Sequence, residues 1–173
     1  MTSAKLRYFI SFFIYILIGA LIILLQSTGF MTLQISTASA VLILPLTVYA
    51  GFYFGEYAGA VYGLMMGALT DVYSSTLFYN ATALTVVGFA AGLIIARLFN
   101  RNLAAAAVIS SGASAVYFFI KWLVLYAFSD PVPMFILVRF TLPSLVYTAL
   151  LGIIIYFPLD LFLKKIPKRV TKQ

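Results

Sequence analysis

The chain has 173 residues, of which 64% are hydrophobic and 9% charged, with a mean hydropathy of +1.11 and a net charge of +7. A soluble domain carries about 25% charged residues, so this composition excludes a water-covered globule and places the excess apolar area against lipid. Cysteine and histidine are both absent, which removes disulfides, thiol nucleophiles, thiolate or imidazole metal sites and imidazole acid–base chemistry.

A membrane-crossing helix needs about 20 apolar residues, and the runs are read in chain order on that basis. The first, Tyr8–Leu25, follows Lys5 and Arg7. The nearby Ala38-Ser39-Ala40 resembles a signal-peptidase site, yet an apolar core this long, so far upstream of it, reads as an uncleaved span. The second is expected over 38–54 and contains Pro45, which a helix in lipid tolerates. The third covers about 58–73 and the fourth about 81–99, closed by Arg97, Asn100, Arg101 and Asn102. The fifth, 103–128, ends at the breaker Ser129-Asp130-Pro131-Val132-Pro133. The sixth, 134–163, is too long for one straight crossing and is expected to bend at Pro143 or Pro158.

These runs predict an all-α integral membrane protein, a single six-helix domain over residues 1–173. Lys5, Arg7, Arg97, Arg101, Lys164, Lys165, Lys168, Arg169 and Lys172, nine of the eleven basic residues, fall on one side, and the opposite loops 26–37, 74–80 and 129–133 carry none. By the positive-inside rule both termini are cytoplasmic. The high pI follows from these juxtamembrane bases and implies no nucleic acid.

The most unusual local pattern is a glycine ladder, Gly51, Gly55, Gly59, Gly63 and Gly67, continued at the same spacing by Asp71. Lipid supplies little drive for helices to associate, and glycine at every fourth position lets backbones approach. The ladder is read as packing among the chain's own helices, with a partner-helix groove as the alternative. Weaker small-residue rows are Gly88, Gly92 and Ala96, and Ala107, Ser111 and Ala115.

Asp71, Lys121 and Arg139 are ionisable residues within or at the ends of spans, all placed toward the outer half of the membrane. Charge in hydrocarbon is costly and generally acquires a partner, so Asp71 is expected to pair with Lys121 or Arg139. A proton or substrate relay is the alternative. The cluster Lys164, Lys165, Lys168 and Arg169 is read as a cytoplasmic anchor on anionic lipid, with Asp160 one turn before Lys164. Glu56 and Asp71 stand 15 residues apart, about 22 Å along a continuous helix, too far to share a reaction centre. No phosphate loop, no serine with a base and no paired carboxylates at helical spacing are present, so no enzyme and no cofactor are expected.

The stretch Gly55-Glu56-Tyr57-Ala58-Gly59-Ala60-Val61-Tyr62-Gly63-Leu64-Met65-Met66-Gly67-Ala68-Leu69-Thr70-Asp71, followed by a polar turn and Ala83-Leu84, resembles the rod shape-determining protein MreD family. So does the end of the chain, with Arg139, Leu142-Pro143, Tyr147 and Tyr156-Phe157-Pro158-Leu159. The departure lies in the turn after Asp71, where Ser74, Ser75 and Asn80 stand and a glycine is often found. The resemblance implies a non-enzymatic membrane component of the bacterial elongation machinery. Such a protein binds MreC through helix packing and helps link MreB filaments to the peptidoglycan synthases, RodA and a class B penicillin-binding protein. A second copy of the chain is a further candidate partner. The resemblance also implies a fold similar to the substrate-binding subunits of energy-coupling-factor vitamin transporters, so vitamin capture is the alternative function. An outer pocket for it would draw on Gln26, Gln34, Asn80, Lys121 and Trp122, but the first span, with only Gly19 and Ala20, lacks the expected Ala-x-x-x-Ala pattern.

Overall fold

A computed structural model of the chain describes residues 3–28, 34–35, 38–74, 78–98, 103–125 and 133–163. Its elements are α1 (Ser3–Ser27), a two-residue antiparallel pair β1 (Gln34–Ile35) and β2 (Ala38–Ser39), α2 (Ile43–Phe54), α3 (Glu56–Ser74), α4 (Tyr79–Leu98), α5 (Leu103–Leu125), α6 (Pro133–Ile136), a π-helical turn (Leu137–Thr141) and α7 (Leu142–Leu163). Among the described residues, three helical segments are long and apolar enough to cross a membrane: Leu6–Ser27, Ala107–Val124 and Met134–Leu159. Ile43–Phe54 and Tyr79–Ile95 are shorter apolar helices.

Helix α2 is the centre of the bundle. Eleven of its residues are buried, Tyr53 being the exception, and α1, α3, α4, α5 and α7 all pack on it. A helix apolar on every face is stable only when surrounded, and the sequence Ile43-Leu44-Pro45-Leu46-Thr47-Val48 leaves it no polar side. Around it α1 presents Tyr8, Phe12, Tyr15, Gly19 and Ile23 inward, while Phe9, Phe13, Leu17 and Leu21 stay exposed. The apolar stripe thus divides the helix between core and lipid.

The second crossing departs from the expected helix over 38–54. Ala38 and Ser39 pair with Ile35 and Gln34 instead, and the helix begins only at Ile43. Pro45 accounts for this, because proline is accommodated in a first helical turn but its ring clashes with the carbonyl four residues earlier. With the residues ahead of it, α2 nearly matches the length of α1 between two hydrogen-bonded ties. At one end the Tyr8 hydroxyl donates to Phe54 O (2.8 Å), and at the other Gln26 Nε2 donates to Ala40 O (3.1 Å). Eighteen residues of α1 between these ties rise about 27 Å. In the packed segment the twelve residues of α2 rise about 18 Å, and Ala40 and Val41 ahead of it add at most about 7 Å. Both lengths approach the ~30 Å of a hydrocarbon core.

The glycine ladder spans two helices, as the separate runs 38–54 and 58–73 lead one to expect. The chain breaks at Gly55, whose φ of 96° lies in the left-handed region that costs glycine nothing. The turn folds α3 back on α2, and a Cβ added at Gly59 would lie 2.7 Å from Gly51 Cα. The expected bend of the last span takes the form of the π turn, where Leu142 N–H donates to Leu137 O. Pro143 has no N–H and would crowd the carbonyl of Arg139; a widened turn just before it relieves both problems. Helix α7 runs on through Pro158.

Candidate functional site

Two features join the helices: a glycine seam and a buried polar joint. In the seam, α3 and α4 run antiparallel with Gly59 against Gly88, Gly63 against Leu84, and Gly67 against Asn80 and Ala81. Gly51 reaches the same place from α2, since a Cβ there would lie 2.5 Å from Gly88 O and 2.9 Å from Gly92 N. Three backbones therefore meet at Gly51, Gly59, Gly88 and Gly92. No side chain fits between them, which is the physical use of glycine in lipid. The predicted ladder residues Gly51, Gly59, Gly63 and Gly67 are buried against the chain's own α4, and Gly55 is the hinge.

The polar joint sits where α3 ends and α4 begins. Asp71, 8% exposed, is the buried carboxylate among the described residues. Its Oδ1 accepts from Asn80 N (3.0 Å) and Asn80 Nδ2 (3.0 Å), and its Oδ2 accepts from Ala81 N (2.8 Å). The first amides of any helix have no partner inside it, and Asn80 and Ala81 are the second and third residues of α4. Asp71 thus caps α4 from the neighbouring helix, placing negative charge at the positive end of its dipole. Phe78, immediately before α4, has φ 52°, a left-handed conformation rare for an aromatic residue.

Asn80 extends the joint to α5. Its Nδ2 also donates to Ser74 Oγ (3.3 Å), and its Oδ1 accepts from the Tyr117 hydroxyl. Tyr79 donates its hydroxyl to Tyr117 O (2.9 Å). A phenol inside a bundle requires a partner, and each tyrosine here finds one on another helix. None of the three hydrogen bonds described for Asp71 comes from Lys121 or Arg139, the partners expected for it. Lys121 lies one turn beyond Tyr117 on α5 and is half-buried. Arg139 is exposed on the π turn, its guanidinium carbon 5.4 Å from the centroid of the Phe135 ring. The basic residues Lys164, Lys165, Lys168 and Arg169 lie outside the described residues, as does the side chain of Asp160.

A third set of bonds secures the non-helical start of the second crossing. Val41 N–H donates to Thr148 Oγ1 on α7 (3.1 Å), and Ala40 O accepts from Gln26 on α1. Below it the Tyr49 hydroxyl donates to Gly152 O (2.7 Å). Buried backbone groups outside a helix need partners, and Gln26 and Thr148 supply them to Ala40 and Val41 here.

Among the described residues no three His, Cys, Asp or Glu side chains gather to bind a metal, and the hydrogen bonds described for the Asp71 carboxylate come from Asn80 and Ala81. Sequence reasoning missed Asn80, Tyr117 and Thr148 as structural partners. The available signal was that a tyrosine or asparagine deep in an apolar run has to bond something.

A family model described as rod shape-determining protein MreD matches residues 6–166 of the chain. No curated protein and no solved structure matches it.

Proposed function

The chain belongs to the MreD family of rod shape-determining proteins, and from that premise we propose that it is a non-enzymatic membrane scaffold of the bacterial elongation complex. In this reading it crosses the inner membrane six times, through α1, the broken second crossing, α3, α4, α5 and the α6–α7 segment, with both termini in the cytoplasm. It binds MreC by helix packing within the bilayer. Through MreC it links MreB filaments to RodA and a class B penicillin-binding protein, and so to peptidoglycan synthesis.

The observation that carries the reading is the extent of the family match, residues 6–166. The interior supports it in a second way. The polar side chains described above, Asp71, Asn80, Tyr117, Thr148 and Gln26, are engaged in holding helices to one another, as suits a platform. The glycine faces are closed by α4, so a partner helix meets the apolar outer faces and not the ladder.

The test is co-purification of the intact protein in mild detergent with MreC from the same cells. Recovery of MreC, and loss of rod shape on depletion that a plasmid copy restores, supports the scaffold. Recovery of an ATPase module or a bound vitamin in place of MreC overturns it.

A further inference from the structure

Nine of the eleven basic residues lie near the two termini, in the last turn of α4 or between α4 and α5; Lys121 and Arg139 are the two that do not. Lys121 lies near the end of α5, on the side of the bundle where Gln26 ties Ala40 and Asp71 caps α4. Its side chain is half-buried, and among the described residues no hydrogen bond or ion pair reaches its ammonium group. A half-buried cation in a membrane protein is expensive unless an anion faces it. The side chains that flank it are apolar and open: Phe119 at 56% exposure, Ile120, Leu123 and Val124. Trp122, the one tryptophan of the chain, stands beside it with its ring 6.1 Å from that of Phe119. Tryptophan favours the depth of lipid head groups.

The neighbouring element carries the second cation. Helix α5 packs along α7 and also touches the π turn that bears Arg139. Val138 and Phe135 beside Arg139 are exposed and apolar.

We propose that Lys121 is the seat of an anionic lipid, its ammonium facing the phosphodiester head group and the lipid's acyl chains lying along the open apolar faces of α5 and the π turn, with Arg139 at the rim. The pattern of one ammonium with no partner among the described residues, flanked by bulky apolar side chains, suits an amphiphile. A carboxylate on a protein partner fits it less well, since that partner would have to desolvate its own charge against a lipid-facing surface. The inference requires only that the chain spans a bilayer, and it stands or falls separately from MreC binding.

Trp122 reports on the site directly. The whole protein is reconstituted in phosphatidylcholine vesicles containing a minor fraction of phosphatidylglycerol or of phosphatidylcholine brominated near the head of the acyl chain, and tryptophan quenching is measured. The wild type should favour brominated phosphatidylglycerol by about fivefold in apparent affinity, the scale of one basic side chain on an anionic lipid. Lys121→Gln should abolish the preference, Lys121→Arg should keep it, and Arg139→Gln should weaken it. Equal quenching of the wild type by the two lipids overturns the proposal without reliance on any variant, and assigns the ammonium to a protein partner. A preference that survives in folded Lys121→Gln overturns it as well. Inorganic phosphate added in excess should leave the quenching unchanged; complete loss would make the site one for free phosphate and remove the lipid from it.

Discussion

Replacing Gly63 by alanine puts a methyl carbon into backbone. The new Cβ would stand 2.5 Å from Leu84 C and 2.9 Å from Thr85 N, against 3.4 Å where ordinary contact begins. Neither neighbour is a flexible side chain, so α3 and α4 must part by about 1 Å at this level, and overpacking of that kind costs about 1–3 kcal/mol. Gly59 and Gly67 share the seam and lose dispersion contacts as it opens. Gly112 provides the control, because a Cβ there meets nothing within 4 Å. At that position alanine gains helix propensity worth up to about 1 kcal/mol and strains nothing. Gly63 lies inside α3 and gains the same propensity, so the two variants should differ by the overpacking alone, about 1–3 kcal/mol, with Gly63→Ala the less stable. Equilibrium unfolding of purified protein from detergent micelles into sodium dodecyl sulfate, followed by circular dichroism, measures the difference. Gly63→Ala as stable as Gly112→Ala would refute the claim that the glycine row is closed by α4.

Three further outcomes follow from the hydrogen bonds. Asp71→Ala leaves the Asn80 and Ala81 amides unserved and should cost about 2 kcal/mol, the upper range of cap losses; Asp71→Asn, which keeps one acceptor oxygen, should fall between, and the same unfolding titration orders the three. Tyr15→Phe removes a buried bond to Leu46 O at 2.7 Å and should cost about 1 kcal/mol. Tyr62→Phe should be neutral or stabilising, because that hydroxyl is buried against Gly19 with no hydrogen-bond partner among the described residues; a larger loss for Tyr62→Phe than for Tyr15→Phe would contradict this. Thr148→Val strips Val41 N–H of its acceptor and should speed hydrogen exchange at residues 40–42, whereas Thr148→Ser should leave exchange there near the wild-type rate.

The hydrogen-bonded joints could be read only in part from the chain. Tyr15, Tyr117 and Asn80 are polar groups in apolar runs, which announces that each has a partner and does not say where. The ladder from Gly51 to Gly67 announces close approach, and the gap between the runs 38–54 and 58–73 announces the break at Gly55, but not that Gly59 meets Gly88 across it. Pro45 sits in the first turn of α2, where proline is best accommodated, but a helix in lipid also tolerates proline in its interior, as α7 does at Pro158, so the run 38–54 reads as one helix. Asp71 was correctly singled out as a buried charge, and its described hydrogen bonds proved to be with the start of the next helix.

What the sequence determined by itself is the solvent. Lipid acts on each segment separately, so composition and the length of apolar runs are enough to place the chain in a membrane and to locate most of its helices. Tertiary structure alone decided which helix faces which: that Gly59 meets Gly88, that Thr148 serves Val41 across 107 residues, and that Asp71 caps α4. These contacts depend on adjacency between segments distant in sequence, and a hydrogen-bonding group in a span demands a partner without specifying it.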